Sequence, residues 1–336
     1  MRAWELHARP GFEALTEVTR EPRPLGARDV RVRIHAVSLN YRDIVLARGA
    51  HTRARTPPVI AGSDGAGEVV EVGPSVQRLR PGDRVAGLFF PTWLDGEISA
   101  AHHASALGGA HDGMMAEEVV LDETAWIKVP SHLSYAQAAT LPCAGVTAYH
   151  ALFEKTRLGP GDTLLVQGTG GVAMFALQLA KAVGARVVVT SRSAAKHERA
   201  RALGADHVID YVATPAWGEA VWIWTGGVGV DMVVDVGGPG TFDQSVAALR
   251  FGGTMSLLGV LTGVRGEINT YGIFHKALRV HGIYVGSARM FESLNRAITA
   301  TALEPVVDRV FTFDEVPAAY EYLAGGHHIG KVVVAI

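Results

Sequence analysis

Residues 164–190 read LLVQGTGGVAMFALQLAKAVGARVVVT. The apolar run 162–167 is bounded by turn residues and passes directly into Gly168-Thr169-Gly170-Gly171-Val172-Ala173, a G-x-G-x-x-A pattern. Val172, Ala176, Leu179 and Val183 then recur at helical spacing, and 186–190 opens a second strand. In such a loop the first glycine permits the tight turn and the second lets the backbone approach a pyrophosphate. The third position takes a small residue so that helix packs on strand, as Ala173 does. N–H groups and the partial positive charge at the helix N-terminus then bind the diphosphate. A glycine turn with only a packing role would not need strand, loop and helix in this order. The segment therefore predicts a dinucleotide site on Gly168, Thr169, Gly170, Gly171 and Val172.

About 20 residues past the glycines the second strand ends at Val189-Thr190-Ser191-Arg192-Ser193. An NAD-selective site usually places Asp or Glu there, to accept from the ribose hydroxyls. Here Ser191 stands in that place, followed by Arg192 and Lys196. A carboxylate would repel a 2′-phosphate, whereas serine donates to it and the two cations offer charge-assisted hydrogen bonds. NADPH is the expected cofactor.

Outward from this unit, 207–210, 231–236, 254–259 and 279–285 read as further strands, with helices at 194–203, 215–224 and 241–249. That alternation implies an α/β doubly wound parallel sheet. Residues 1–130 follow a different pattern of short strands and turns, as in Val30, Val32, Ile34 and Ala36, and read as a β-rich, barrel-like domain. Residues 90–113 read as a long loop, and a helix near 291–302 precedes a terminal strand, KVVVAI, expected to return to the first domain.

The 336 residues suit two domains. With 31 Lys+Arg against 33 Asp+Glu, no global field draws in nucleic acid or an anionic membrane. The single Cys143 excludes an intramolecular disulfide and any thiolate-rich zinc site, and a reducing, cytoplasmic setting is expected. MRAWELHARPG lacks the apolar stretch of a signal peptide and no apolar run is long enough to span a bilayer, so the chain is read as soluble.

The sequence resembles the medium-chain dehydrogenase/reductase superfamily, and within it the zinc-independent quinone oxidoreductase-like branch. The resemblance runs along nearly the whole chain, through VSLNYRD (37–43), AGSDGAGEVVEVG (61–73), LRPGDRVAG (79–87), LPCAGVTAYHAL (141–152), the stretch at 164–190, LGADHVIDY (203–211), GVDMVVDVGG (229–238), GIYVGSARMFE (282–292) and HIGKVVVAI (328–336). It implies a catalytic domain built from both chain ends (1–144 and 287–336), a Rossmann NADP-binding domain at 145–286, and an active site in the cleft between them. It also implies cofactor contacts from Thr147, Tyr211, Val236, Gly259, Val260, Leu261, Val285, Gly286 and Ser287, with Lys331 reaching the diphosphate and Asn269 and Arg289 as weaker candidates.

Zinc-dependent relatives place Cys, then His and Glu, then Cys at positions occupied here by Asn40, by Ser63 and Asp64, and by Cys143. Only Cys143 survives, and the four cysteines of the family's structural-zinc lobe are absent from 85–115. No metal is expected, although His102, His103 and His111 offer an opportunistic site. Interconverting alcohol and carbonyl by the usual route needs a Lewis acid, while a quinone or enone accepts hydride into an electron-poor conjugated system. The resemblance puts Asn40 and Tyr41 where metal chemistry would otherwise sit. They are the catalytic candidates, donating to the developing negative charge, with Tyr41 a proton donor or an orienting group. Arg42 and Asp43 are read as a local pair, and Cys143 as a buried relic.

The expectation is therefore an NADPH-dependent reductase of a small-molecule conjugated carbonyl or quinone. An alcohol dehydrogenase and a non-catalytic NADPH-binding redox sensor are the alternatives. A homodimer is expected through the apolar segment 272–285, which resembles the family's edge strand.

Overall fold

The apolar runs that punctuate 163–282 become six parallel strands in the computed structural model, which describes residues 1–7, 10–49 and 58–336. The chain divides into two compact units, Met1–Val146 with Val285–Ile336, and Thr147–Tyr284, each boundary two residues from the expected one.

In the second unit the strands lie in the order His207–Asp210, Arg186–Ser191, Thr163–Gln167, Val230–Asp235, Leu249–Leu257 and Arg279–Gly282. The order reverses direction between Thr163–Gln167 and Val230–Asp235, the switch point at which open α/β sheets bind ligands. These two strands are almost wholly buried, because helices cover a doubly wound sheet on both faces. Helix Gly171–Ala182 buries Ala173, Met174, Phe175, Ala176, Leu177, Leu179 and Ala180, and helices Ala194–Ala202, Trp217–Trp224 and Pro239–Ala248 complete the alternation. The last of these begins two residues before the expected Thr241, since Pro239 occupies the first turn, where a missing N–H costs nothing. The final strand stops at Gly282 rather than Val285, and Val285 takes a left-handed φ of 56° that no strand accommodates. Within 272–285 the first residues form helix Tyr271–His275, so only part of the expected edge is strand.

The first unit is mainly antiparallel and uses both chain ends. Its larger sheet runs Val307–Thr312, Lys331–Ala335, Asp29–Ser38, Asp64–Val72, Arg84–Gly87 and Trp126–Lys128, with Glu118–Asp122 also paired to Asp29–Ser38. The terminal strand pairs antiparallel with Asp29–Ser38, Val333 opposite Ser38 and Val334 opposite Val37. Residues 90–113 are more ordered than a bare loop: Ser99 and His102 cap helix Ala100–Ala104 reciprocally, and Phe90 and Trp93 are fully buried. The segment returns at Gly113, whose N–H donates to Ile60 O and where a Cβ would sit 2.0 Å from Gly62 O. Among the described residues no helix is long and apolar enough to cross a membrane.

Candidate active site

A buried polar cluster forms in the first unit where Asp29–Ser38 ends. Asn40 is the N-cap of helix Tyr41–Ala47, and its N–H donates to Asp43 Oδ2 at 2.7 Å. Its side-chain Nδ2 faces Ser63 Oγ at 3.3 Å, and Ser63 donates in turn to Asp64 Oδ1 at 2.7 Å. The other Asp64 oxygen accepts the Cys143 N–H at 2.9 Å. Lys331, four residues short of the end of the terminal strand, donates from Nζ to Leu39 O at 2.6 Å and to Asn40 Oδ1. Asn40, Asp43, Ser63, Asp64 and Lys331 are all buried, whereas Tyr41, beside them in sequence, is 48% exposed.

Burial dominates the electrostatics here. It pushes Asp43 up to about 6, with Arg42 opposing. It raises Asp64 too, against the pull of the Lys331 ammonium, the Ser63 and Asn40 side chains and the Cys143 N–H. The Cys143 thiol is driven above its ordinary range by burial and by the neighbouring Asp64 charge. The expected Arg42–Asp43 pair is replaced by separate commitments. Arg42 Nη1 donates to Leu107 O at 2.8 Å with its guanidinium over the Phe89 ring, while Asp43 closes the cap of its own helix.

This donor set does not suit zinc. Asn40 Oδ1 holds an ammonium and Ser63 donates to Asp64, so neither offers the thiolate or imidazole a zinc ion takes. His102 is committed to its helix cap, and no group of three or more His, Cys, Asp or Glu among the described residues is placed to hold a metal.

The second constellation lies in the second unit, at the carboxyl ends of its strands. Gly168 has φ 74° and open space where a Cβ would project, and its N–H donates to Thr190 O at 2.8 Å. Gly170 caps the twelve-residue helix Gly171–Ala182, and the buried Thr169 Oγ1 has no hydrogen-bond partner among the described residues. Glycine-lined space, a helix N-terminus and an unused hydroxyl suit a dinucleotide. Ser191 ends its strand buried, Arg192 is exposed and Lys196 half-buried. The nearby Asp210 carboxylate is taken by the N–H groups of Val212 and Ala213. Tyr211 is partly exposed, Val260 and Leu261 are exposed, and Thr147 is buried. A Cβ at Gly259 would lie 2.1 Å from Val236 O, so only glycine allows that approach.

Three of the expected cofactor residues lie just past the boundary of the second unit. Val285, Gly286 and Ser287 belong to the first unit, where Ser287 Oγ accepts from Met290 N to cap helix Ala288–Thr301. Lys331 likewise has its ammonium engaged by Leu39 and Asn40. The Asn269 side chain accepts from Tyr271 N at 3.0 Å, and Arg289 Nε donates to Asp95 Oδ1 at 2.6 Å.

A supporting network at the switch point was not anticipated from the sequence. Gln167 accepts from the Val236 and Gly237 N–H groups and donates to Asp235 Oδ2 at 2.8 Å and Ser245 Oγ at 2.7 Å. Asp235, fully buried, also accepts from Gly238 N, Thr241 Oγ1 and Ser245 Oγ. It ties the two central strands together under the glycine loop. The available signal was a polar residue, Gln167 and Asp235, at the carboxyl end of each of two otherwise apolar runs.

The chain is similar to known proteins over nearly its whole length. Residues 26–131 match the alcohol dehydrogenase GroES-like domain and 171–300 the zinc-binding dehydrogenase family. The chain is 42% identical to a zinc-type alcohol dehydrogenase-like protein of Schizosaccharomyces pombe, over 97% of this chain and 96% of that one. It is 30% identical to the acryloyl-coenzyme A reductase of Metallosphaera sedula, over 94% of each. Among solved structures, a provisionally named alcohol dehydrogenase from Sinorhizobium meliloti aligns with TM-score 0.93 and 42% identity, covering 100% of this chain and 98% of that one. The quinone oxidoreductase of Coxiella burnetii aligns with TM-score 0.82 and 27% identity, over 100% and 99%. Identity over nearly the full length, two matched domains and a six-stranded dinucleotide-type sheet make this chain a member of the medium-chain dehydrogenase/reductase superfamily, an NAD(P)-dependent oxidoreductase.

Proposed function

We propose that this oxidoreductase is an NADPH-dependent reductase of quinones or α,β-unsaturated carbonyls that works without zinc. The observation that carries the reading is the set at Asn40, Ser63, Asp64 and Cys143, which is tied up in its own hydrogen bonds rather than arranged for a Lewis acid, with the second proton of the Asn40 amide as its donor to an acceptor. A conjugated acceptor needs only that. Its far carbon takes hydride, and the charge that develops on its oxygen is met by N–H and O–H groups. Bound NADPH supplies the hydride. Asn40 Nδ2–H binds and orients the acceptor oxygen, and the exposed Tyr41 holds a proton at Oη for transfer to it.

Ser191, Arg192 and Lys196 support NADPH over NADH, since the strand closes on serine rather than on Asp or Glu, with two cations following. Gly168 to Val172 cradle the diphosphate, with Thr147, Tyr211, Val236, Gly259, Val260, Leu261, Val285, Gly286 and Ser287 as the further cofactor contacts. The likeness to acryloyl-coenzyme A reductase and to a quinone oxidoreductase supports a conjugated acceptor. The names of the alcohol dehydrogenase relatives favour a second reading, alcohol–aldehyde interconversion. A homodimer is supported by strand Arg279–Gly282, paired only to Leu249–Leu257 among the described residues, beside the exposed Tyr271, Phe274 and Val280.

The test is cofactor oxidation by chelator-treated protein against quinones, enones and simple aldehydes, with NADPH and NADH in parallel. Turnover of the conjugated acceptors with an NADPH preference is the expected result. Activity lost on chelation and restored by zinc, or turnover confined to simple aldehydes, overturns it.

A further inference from the structure

Strand register delivers one cation to the catalytic cluster. With Val333 opposite Ser38, the antiparallel pairing carries Lys331 two residues further, opposite Asn40, and Leu39 N–H donates to Val332 O at 3.0 Å alongside. The Lys331 residue is 4% exposed, and its ammonium donates to Leu39 O and to Asn40 Oδ1. Lysine has three donors and no acceptor, so the Asn40 atom facing it is the carbonyl oxygen. The Asn40 NH2 therefore points the other way, toward Ser63. Turned over, the same amide would present an acceptor where the reaction needs a donor, and would face an ammonium with its own N–H groups.

We propose that Lys331 is a positioning residue, which locks the Asn40 amide with one Nδ2–H on Ser63 and the second left for the acceptor oxygen, and sets a fixed positive charge behind that donor. The assignment rests on the reading of Asn40 as the donor to a reduced acceptor. It differs from the role in diphosphate binding that the family resemblance implies. Two of the three ammonium protons are already committed inside the first unit.

Loss of the ammonium alone would leave the buried Asp43 and Asp64 without it, so Lys331→Met by itself risks failing to fold. The variants are Lys331→Met/Asp64→Asn, compared with Asp64→Asn, together with Lys331→Arg, Asn40→Ala/Asp64→Asn and the triple variant Lys331→Met/Asn40→Ala/Asp64→Asn. Three quantities are measured: NADPH Kd by fluorescence, kcat and KM with 1,4-benzoquinone and cyclohex-2-enone, and the side-chain amide resonance of Asn40 in asparagine-labelled protein. Replacing Lys331 by Met should move the Asn40 amide resonance and lower kcat by roughly a hundredfold, the usual effect of losing one aligned oxyanion donor. NADPH Kd should stay within about twofold, and adding Lys331→Met to Asn40→Ala/Asp64→Asn should slow the enzyme no further. Lys331→Arg, which keeps donors and charge, should recover part of kcat.

An Asn40 resonance that does not respond, or NADPH binding weakened by about tenfold or more with additive losses in kcat, overturns the proposal and puts Lys331 on the cofactor. If the wild-type protein reduces no conjugated acceptor, the proposed function fails by itself. The resonance still reports whether Lys331 sets the Asn40 amide.

Discussion

Acidification should relieve a cost built into Asp43. This carboxylate accepts from Asn40 N–H at 2.7 Å, while its Oδ1 is buried with no hydrogen-bond partner among the described residues. Burial raises its pKa from 3.8 to about 6, with Arg42 and Lys331 pulling it down and Asp64 pushing it up. A carboxyl whose pKa is higher folded than unfolded costs stability wherever both states are ionised. That cost disappears as the folded protein takes up its proton, and is gone below the unfolded pKa. The gap between 3.8 and about 6 corresponds to about 3 kcal/mol, of which about 1.4 kcal/mol is recovered between pH 7.5 and pH 5. Asp43→Asn has no charge to relieve. Its new N–H group adds a buried donor without a partner, a penalty of about 1–3 kcal/mol that does not vary with pH. The informative quantity is therefore the wild-type stability minus that of Asp43→Asn, followed against pH. It is read from urea unfolding by tryptophan fluorescence, on the transition of the first unit, where Trp4, Trp93 and Trp126 are buried. The difference should rise by about 1.4 kcal/mol from pH 7.5 to pH 5. A flat difference, or one that falls on acidification, refutes the argument that desolvation dominates at Asp43.

Ser191→Asp should place a carboxylate against the 2′-phosphate, weakening NADPH by about tenfold or more in Kd while leaving NADH unchanged or tighter; equal losses for both cofactors would count against the assignment. Asp235→Ala strips the acceptor from Gln167, Gly238, Thr241 and Ser245, and should cost about 3–5 kcal/mol in the unfolding of the second unit. A loss below about 1 kcal/mol would show that the network is dispensable.

Sequence and structure agree where the controlling interactions are local. Gly168 to Ala173 spell out their turn because conformational freedom and small size are properties of those residues themselves, and the strand and helix on either side follow from periodicity within a few residues. Ser191 was legible for the same reason, as the residue that closes a strand a known distance beyond the glycines. The edge strand was drawn too long because apolar periodicity at 279–285 does not report the left-handed turn at Val285. Adjacency of Arg42 and Asp43 in sequence says nothing of Leu107 and Phe89, which hold the arginine from across the fold.

By itself, then, the sequence determined the two-part α/β architecture and the glycine loop between strand and helix. Each is a matter of residue type at short spacing. Only the tertiary structure decided that Lys331 meets Asn40, 291 residues away, and that Gln167 meets Asp235, 68 residues away. Those contacts depend on strand order and register. A buried ammonium or carboxylate takes whatever partners that register brings within hydrogen-bonding reach, because in the interior water is not there to take their place.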